Sequence, residues 1–277
     1  MSTGAFDVLA YSADAHGDHR AELTGLGEPL SDVLRAELRY LRSRLSGTTA
    51  WLSLVLVTPT HKNARITAFL SGWAYERHWL ADALDALTAE LPTPSVRRTR
   101  LGLRKRFAPL VEAVVANLHG AALTAVHMAE RAVDGVFVEA LLAHAIAQAP
   151  PPVAADLERL RRVLVRQQAF FTEEAGRLLD SSAPARRLSR RRLTGRAWPI
   201  GAADDPVGTA TALAGLTAAD PRWTEQADAR IDALPGLAGL GIARRSAANP
   251  GRPVLRTTLR PVAALGRLAA SVVSRKG

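Results

Sequence analysis

Four long segments of the chain carry apolar residues at helical spacing, and this feature most restricts what the chain can fold into. The first stripe follows Ser31, a residue type that caps helix N-termini. Its members are Leu34, Leu38, Leu41 and Leu45. The other three segments lie near 61–90, 107–148 and 154–180. Proline-bearing joints separate them, and no segment alternates apolar with polar residues as a strand would. The sequence therefore predicts an all-α protein, built as an antiparallel four-helix bundle.

The composition divides the chain into three parts. We expect an N-terminal segment over 1–28, which is acidic, and the helical bundle over 29–182. The remainder, 183–277, is predicted to form a basic, partly helical C-terminal extension. Within this extension, two short helices are predicted near 206–218 and 223–234.

The net charge of +10 lies in the last third of the chain. Residues 1–180 hold 20 Lys and Arg against 20 Asp and Glu, whereas residues 181–277 hold 16 against 6. Two arginine-rich runs, at 97–106 and 186–196, lack the interleaved aromatic residues on which bases stack. We interpret both as solvated joints between helices and expect no nucleic-acid partner. The segment from Val254 is compatible with a basic helix at a membrane surface or with a loose tail.

The residue types exclude several classes of chemistry. The chain has no cysteine, which excludes disulfides, thiolate metal sites and cysteine nucleophiles. It has no Gly-x-Ser-x-Gly elbow and no glycine-rich nucleotide-binding motif. Its N-terminal stretch lacks the apolar core of a signal peptide, and no uncharged apolar run reaches the roughly 20 residues of a membrane span. We therefore expect a cytoplasmic protein.

An arginine interrupts the apolar stripe of the second helical segment. The stripe consists of Ile66, Leu70, Trp73, Leu80, Leu84 and Leu87. Arg77 stands where another apolar residue is expected, with Glu76 and His78 on either side. A buried guanidinium costs several kcal/mol unless acceptors surround it. Either Arg77 is buried and paired, or its side chain extends along the helix into solvent. The candidate partners are Glu76, Glu130, Asp134 and Gln167.

Six stretches spread over about 30–240 carry a resemblance to a known family. They are ELRYLRSRL, LVTPTHKNARITAFLSGWAYERHW, AVHMAERAVDG, QQAFFTEEAGRLL, WPIG and LPGL. They resemble actinobacterial ferritin-like proteins of the kind related to acyl-carrier-protein desaturases. The resemblance implies a ferritin-like four-helix bundle and, in members with intact ligands, a di-metal centre between the helices.

The resemblance also implies where the metal ligands would stand. The family pattern places one glutamate on each of the first and third helices, and a Glu-x-x-His pair on each of the second and fourth. The six corresponding positions are Leu45, Arg77, Leu80, Gly135, Leu164 and Gln167. None of them retains the expected ligand. We therefore interpret them as former metal-centre positions and expect no metal or other cofactor.

Two functional interpretations follow, and the sequence does not establish whether the protein is an enzyme. In the first, a metal-free, degenerate ferritin-like protein binds a hydrophobic small molecule or a protein partner. A homodimer is one form that such a partnership could take. In the second, displaced ligands support a di-iron or di-manganese oxidase or oxygenase. The displaced ligands would come from Glu76, His78, His127, Glu130, Asp134, Glu173 and Glu174. Of these, His127 and Glu130 form the best local pair, whereas Glu76 and His78 diverge around the helix.

Overall fold

The computed structural model describes residues 5–15, 17–89 and 119–253. Within these ranges the chain is helical and has no β-strand, which confirms the predicted all-α class. None of the helices in these ranges has the length and apolar character that a membrane crossing requires. The arginine-rich run at 97–106, the start of the third predicted helix and the segment from Val254 lie outside the described residues.

Ten α-helices occur in the described ranges. They are α1 Val8–Ala13, α2 Asp32–Ser46, α3 Thr48–Val55, α4 Ala64–Thr88, α5 Ala121–Gln148, α6 Pro151–Asp180, α7 Ala183–Thr194, α8 Pro206–Ala219, α9 Trp223–Asp232 and α10 Ile242–Ala248. Two short 3₁₀ turns, His19–Glu22 and Pro59–Lys62, complete the secondary structure of this part of the chain.

Local chemistry sets the helix ends. The hydroxyl of Ser31 accepts a hydrogen bond of 3.2 Å from the Leu34 amide and caps α2, as the sequence predicts. Helix α6 begins at Pro151, slightly earlier than predicted, because proline is well suited to the first helical position. Gly120, with a φ of 53°, precedes α5, so the helical segment predicted near 107–148 is interrupted at this residue.

Four helices pack as a ring of neighbours. Helix α2 packs on α4 and α5 packs on α6, while α2 also contacts α5 and α4 contacts α6. Only residues 149 and 150 separate α5 from α6, so these two helices run antiparallel. The apolar stripes meet inside the ring, where the stripe residues are almost fully buried. The fully or almost fully buried ones include Leu38, Leu41, Leu80, Leu84, Met128, Leu157 and Leu160.

An aromatic cluster joins α4 to α6. The Phe69 and Phe170 rings stack with their centroids 3.7 Å apart. Trp73 meets Phe171 edge to face at 5.3 Å. These rings are buried, and Trp73 also contacts the guanidinium of Arg77, which belongs to the polar groups described below.

The arginine-rich run at 186–196 is not the predicted joint, because most of it belongs to helix α7. The Ser182 hydroxyl accepts a hydrogen bond of 3.2 Å from the Ala185 amide and caps this helix. Helix α7 packs on α5 and α6 and buries Ala185 and Leu193. Those two apolar positions are eight residues apart with arginines between them, so the stripe was too sparse to predict a helix.

The C-terminal helices α8 and α9 lie where the sequence predicts short helices. They share one apolar core with the ring of long helices. Trp198, between α7 and α8, is buried and its indole N–H donates to the Val133 carbonyl on α5 at 3.3 Å. The division at 182/183 into two units stays a prediction, and apolar packing is continuous across it.

Candidate functional site: a buried polar layer

The six positions singled out by the family resemblance lie on the four helices of the ring. Leu45 is on α2, Arg77 and Leu80 are on α4, Gly135 is on α5, and Leu164 and Gln167 are on α6. Arg77 and Gly135 are half-buried and the other four are buried. A di-iron centre of this type takes carboxylate and imidazole ligands, and these six residues supply neither.

Arg77 connects α4 to α6. Its Nε donates a hydrogen bond of 2.7 Å to Oε1 of Gln167, whose side chain is fully buried. Its guanidinium carbon lies 5.5 Å from the centroid of the Trp73 ring, which adds a cation–π contact. Of the two arrangements that the sequence left open, the structure therefore has the paired one, with Gln167 as the hydrogen-bonded partner.

Glu76 is the acceptor at the centre of this layer, and its side chain is fully buried. Its Oε2 accepts from the Tyr11 hydroxyl at 2.5 Å and from Nε2 of Gln167 at 2.8 Å. Its Oε1 accepts from Nη2 of Arg166 at 2.6 Å. Both carboxylate oxygens are thus engaged by donors from α1 and α6, which offsets the cost of burying the charge.

Asp134 organises a second group of charges between α2 and α5. Its Oδ1 lies 3.1 Å from Nη2 of Arg44 and accepts from the Ile200 amide at 2.8 Å. Its Oδ2 lies 3.4 Å from Nη1 of Arg131. The Arg131 guanidinium also covers the Trp51 ring, 4.4 Å from its centroid. Asp134 was considered as a hydrogen-bonding partner of Arg77, and it instead pairs directly with these two other arginines.

The two interior arginines are electrostatically perturbed. Burial, followed by the positive charge of Arg131, lowers the pKa of Arg77 to about 10, and the charges of Asp134 and Glu76 partly offset this. Burial likewise lowers the pKa of Arg131 to about 10, although nearby Asp134 raises it. Both guanidinium groups remain protonated at neutral pH, and the negative charges of Glu76 and Asp134 favour the protonated form of Arg77.

The space beside Gly135 is already filled. A Cβ atom added at Gly135 would lie 1.7 Å from Oε1 of Gln168. Gln168 is held there because its Nε2 donates to the Ala132 carbonyl at 2.6 Å. A glutamate at position 135 would have to displace this amide. The side chains at the former ligand positions therefore do not fit a di-metal centre.

His127 and Glu130, the best local pair for a displaced metal site, each interact with a different residue. His127 shares a hydrogen bond of 3.0 Å with the Thr60 hydroxyl through its Nδ1 atom. Glu130 instead lies 2.8 Å from Nη1 of Arg196. His78 is exposed, on a different side of α4 from the buried Glu76.

The remaining candidate ligands also have other partners. Glu173 accepts from the Phe6 amide at 2.8 Å and from Nη2 of Arg65 at 2.9 Å. Glu174 is buried and pairs with Arg177 one turn later. Over the described residues, no three His, Asp or Glu side chains form a group that could hold a metal ion.

Tyr11 and Arg166 belong to the polar layer, and the sequence analysis missed both. Tyr11 lies in the acidic N-terminal segment, which carries no periodic signal that would place it against α4. Arg166 directly precedes Gln167, and its contact with Glu76 depends on how α4 and α6 face each other. In the fourth helical segment Gln167 interrupts an apolar row that includes Leu160, Leu164 and Phe171, and only this interruption indicated a polar site on α6.

Comparison with protein-family models, curated proteins and solved structures finds no match to this chain. The ferritin-like resemblance consequently rests on residue patterns in the sequence. What the structure establishes, over the described residues, is an all-helical protein with a layer of buried carboxylate and amide side chains that pair with partly buried arginines.

The Gln168 side chain beside Gly135 gives a first test of how tightly this layer is packed. We expect Gly135→Ala to lower the free energy of unfolding by about 1–3 kcal/mol, because the added methyl group displaces Gln168 from the Ala132 carbonyl. Gly176→Ala is the matched control, since a Cβ there meets no neighbouring atom within 4 Å. That control should stabilise the helix by up to about 1 kcal/mol. Urea unfolding followed by circular dichroism measures the free energy of unfolding of both variants. If Gly135→Ala were as stable as Gly176→Ala, the tight packing of Gln168 against Gly135 would be contradicted.

Tyr11 gives the layer a pH dependence. Burial, and then the hydrogen bond to Glu76, raise the pKa of Tyr11 above that of a free phenol, which is 10.0. In the unfolded chain the phenol ionises near pH 10, whereas in the folded protein it stays protonated, so stability falls as the pH rises past about 10. Tyr11→Phe removes this contribution. The difference in the free energy of unfolding between wild type and Tyr11→Phe should therefore become smaller as the pH rises from neutral to above about 10. A difference that stays constant with pH would contradict a raised pKa of Tyr11.

Proposed function

We propose that the chain is a ferritin-like four-helix protein in which a buried polar layer replaces the di-metal centre, and that it acts by binding rather than by catalysis. The ring of α2, α4, α5 and α6 supports the ferritin-like part of the proposal. The contact between Arg77 and Gln167 is the observation that carries it. In intact members of the family that the sequence resembles, metal ligands would occupy both positions. In this chain the two side chains are joined by a hydrogen bond instead.

The packing favours a partner on the outside of the bundle. A hydrophobic small molecule such as an acyl chain needs space between the helices. Large side chains fill that region, with Trp73 and Phe171 in contact across α4 and α6. We therefore favour a protein partner, a second copy of the chain included, over a hydrophobic small molecule. The oxidase interpretation requires that existing ion pairs break, because Glu76, Glu130 and Asp134 would have to leave their arginine partners before binding metal.

Metal loading tests the first half of the proposal. The full chain is reconstituted with ferrous iron, and separately with manganese, in the absence of oxygen, and bound metal is measured by elemental analysis after desalting. We expect far less than one metal ion per chain, because the ligand positions carry no carboxylate or imidazole. Binding of two ions per chain would overturn the proposal and favour the oxidase interpretation.

Tryptophan fluorescence and solution mass distinguish the two binding modes. Trp73 lies within the bundle and should report any molecule that enters between α4 and α6. Titration with palmitate should leave the tryptophan emission of the chain, to which five tryptophans contribute, unchanged, whereas a saturable change would favour the hydrophobic-ligand form. Light scattering coupled to gel filtration measures whether the partner is a second copy, since a concentration-dependent dimer mass would then appear.

A further inference from the structure

A groove of about 390 Å³ lies along helix α7, opposite the loop that leads into α10. Its lining consists of Arg187, Arg190, Arg191, Thr194, Gly239, Leu240 and Arg245. Four of these residues are arginines and none is acidic. Like charges held this close repel one another unless an anion lies between them.

The arginines in and directly after helix α7 form two groups, one that faces α5 and one that lines the groove. Arg192 on α7 and Arg196, two residues beyond the end of that helix, approach the buried Glu130 on α5, at 3.9 and 2.8 Å. Arg187 and Arg191 are exposed and line the groove. These two residues are four apart, so they lie one above the other on the same face of the helix. The inward arginines have a structural partner, and the outward ones form a separate cationic surface.

The opposite wall of the groove has a fixed shape. Nη1 of Arg190 donates to the carbonyls of Gly236 and Ala238, at 3.1 and 2.9 Å, and so ties α7 to this loop. Gly236, Gly239 and Gly241 have φ values of 79°, 75° and 56°, a region that favours glycine. This is the LPGLAGLG stretch of the sequence, and its conformation places Gly239 and Leu240 in the lining.

Carboxylates close to the loop are already engaged by backbone amides. Asp232 accepts from the Gly239 amide at 3.1 Å. Asp228 accepts from the Ala243 amide at 2.7 Å and holds the start of α10. Neither residue lines the groove. The guanidinium groups of Arg187, Arg191 and Arg245 are therefore available to an external anion.

We propose that this groove binds a phosphate group of a small ligand. Guanidinium groups form paired hydrogen bonds to phosphate oxygens, and a dianionic group matches several arginines better than a single carboxylate does. The volume is at the lower end of the range for small-molecule sites and suits a pyrophosphate or a phosphate ester. The proposal is independent of the proposed function, because the groove residues differ from those of the buried polar layer.

Calorimetric titration of the full chain with inorganic pyrophosphate at neutral pH tests the site. Wild type should bind saturably, and Arg187→Glu combined with Arg191→Glu should weaken binding by about tenfold or more. Arg39→Glu with Arg222→Glu is the matched control, since both arginines are exposed, lie outside the groove and give the same change in charge. This control should bind like wild type.

Three results would overturn the site: no saturable binding by wild type, unchanged binding by the groove variant, or an equal loss in the control. If the glutamate pair fails to fold, Arg187→Gln with Arg191→Gln replaces it, and its binding must again fall below that of wild type. Metal loading of the chain does not enter this test, so failure of the groove leaves the proposed function standing.

The source of the phosphate is settled by a second arm of the experiment. Vesicles of equal parts phosphatidylcholine and phosphatidic acid, whose phosphomonoester can carry two negative charges, are sedimented with the protein, with and without pyrophosphate. Sedimentation that pyrophosphate and the Arg187/Arg191 substitutions both abolish would assign the groove to a lipid headgroup. Pyrophosphate binding without sedimentation would assign it to a soluble phosphorylated molecule.

Discussion

Replacing Glu76 with leucine is expected to lower the free energy of unfolding by about 3–5 kcal/mol. The Glu76 carboxylate is fully buried and accepts hydrogen bonds from Tyr11, Gln167 and Arg166. Leucine would leave the phenol and amide donors without an acceptor. It would also remove a negative charge that balances Arg77. The loss therefore combines unsatisfied donors with an uncompensated guanidinium, rather than a change of volume.

Two further variants separate these contributions. Glu158→Leu is the matched control, because the Glu158 side chain on α6 is 40% exposed and, among the described residues, pairs with Arg161 three positions later. Its effect should stay below about 1 kcal/mol. Glu76→Gln keeps an acceptor oxygen but removes the charge, and its stability should fall between wild type and Glu76→Leu. Urea unfolding followed by circular dichroism measures all three. If Glu76→Leu were no more harmful than Glu158→Leu, Glu76 would not support the polar layer.

Helical periodicity was sufficient to predict the helices that bury a continuous apolar stripe. Leu38 and Leu41 on α2, and Leu157 and Leu160 on α6, are buried pairs three residues apart, a spacing that a helix brings onto one face and a strand does not. Helix α7 was missed because its buried Ala185 and Leu193 are too few to form such a stripe. Its packing against α5 is a tertiary contact, which local spacing does not encode.

The polar layer was predictable only where a charge interrupted a stripe. Arg77 on α4 and Gln167 on α6 each stood in an apolar row, and the structure pairs them. The contact of Tyr11 with Glu76 joins residues 65 positions apart, and nothing periodic in the N-terminal segment marks it. Pairing between Asp134 and Arg44 likewise depends on how α2 and α5 face each other. Residue identity within a stripe therefore indicated that a site exists, and the helix packing determined its partners.

Arg77→Glu should be the most harmful single change at the former ligand positions, with a loss of about 3–5 kcal/mol at neutral pH. The new carboxylate would face Oε1 of Gln167, which is an acceptor, and would lie near the charge of Glu76. Burial, which is the largest influence at this position, together with repulsion from Asp134 and Glu76 would raise its pKa above that of a free glutamate, against the opposing attraction of Arg131. The folded variant would then bind a proton more tightly than the unfolded chain. Stability of this variant should therefore fall as the pH rises from about 5 to about 8, by more than the stability of wild type does.

Arg77→Leu separates the loss of the guanidinium from the arrival of a second carboxylate. It leaves Oε1 of the buried Gln167 without its donor, which costs about 1–3 kcal/mol, while it relieves the repulsion between Arg77 and Arg131. Its stability should thus lie between wild type and Arg77→Glu, without the added pH dependence. Ferrous iron should not restore Arg77→Glu, because Leu80, Gly135 and Leu164 supply no further ligands. If stoichiometric iron restored the stability of Arg77→Glu, displaced carboxylates would have to complete a metal site. That result would contradict the proposed binding function and favour the oxidase interpretation.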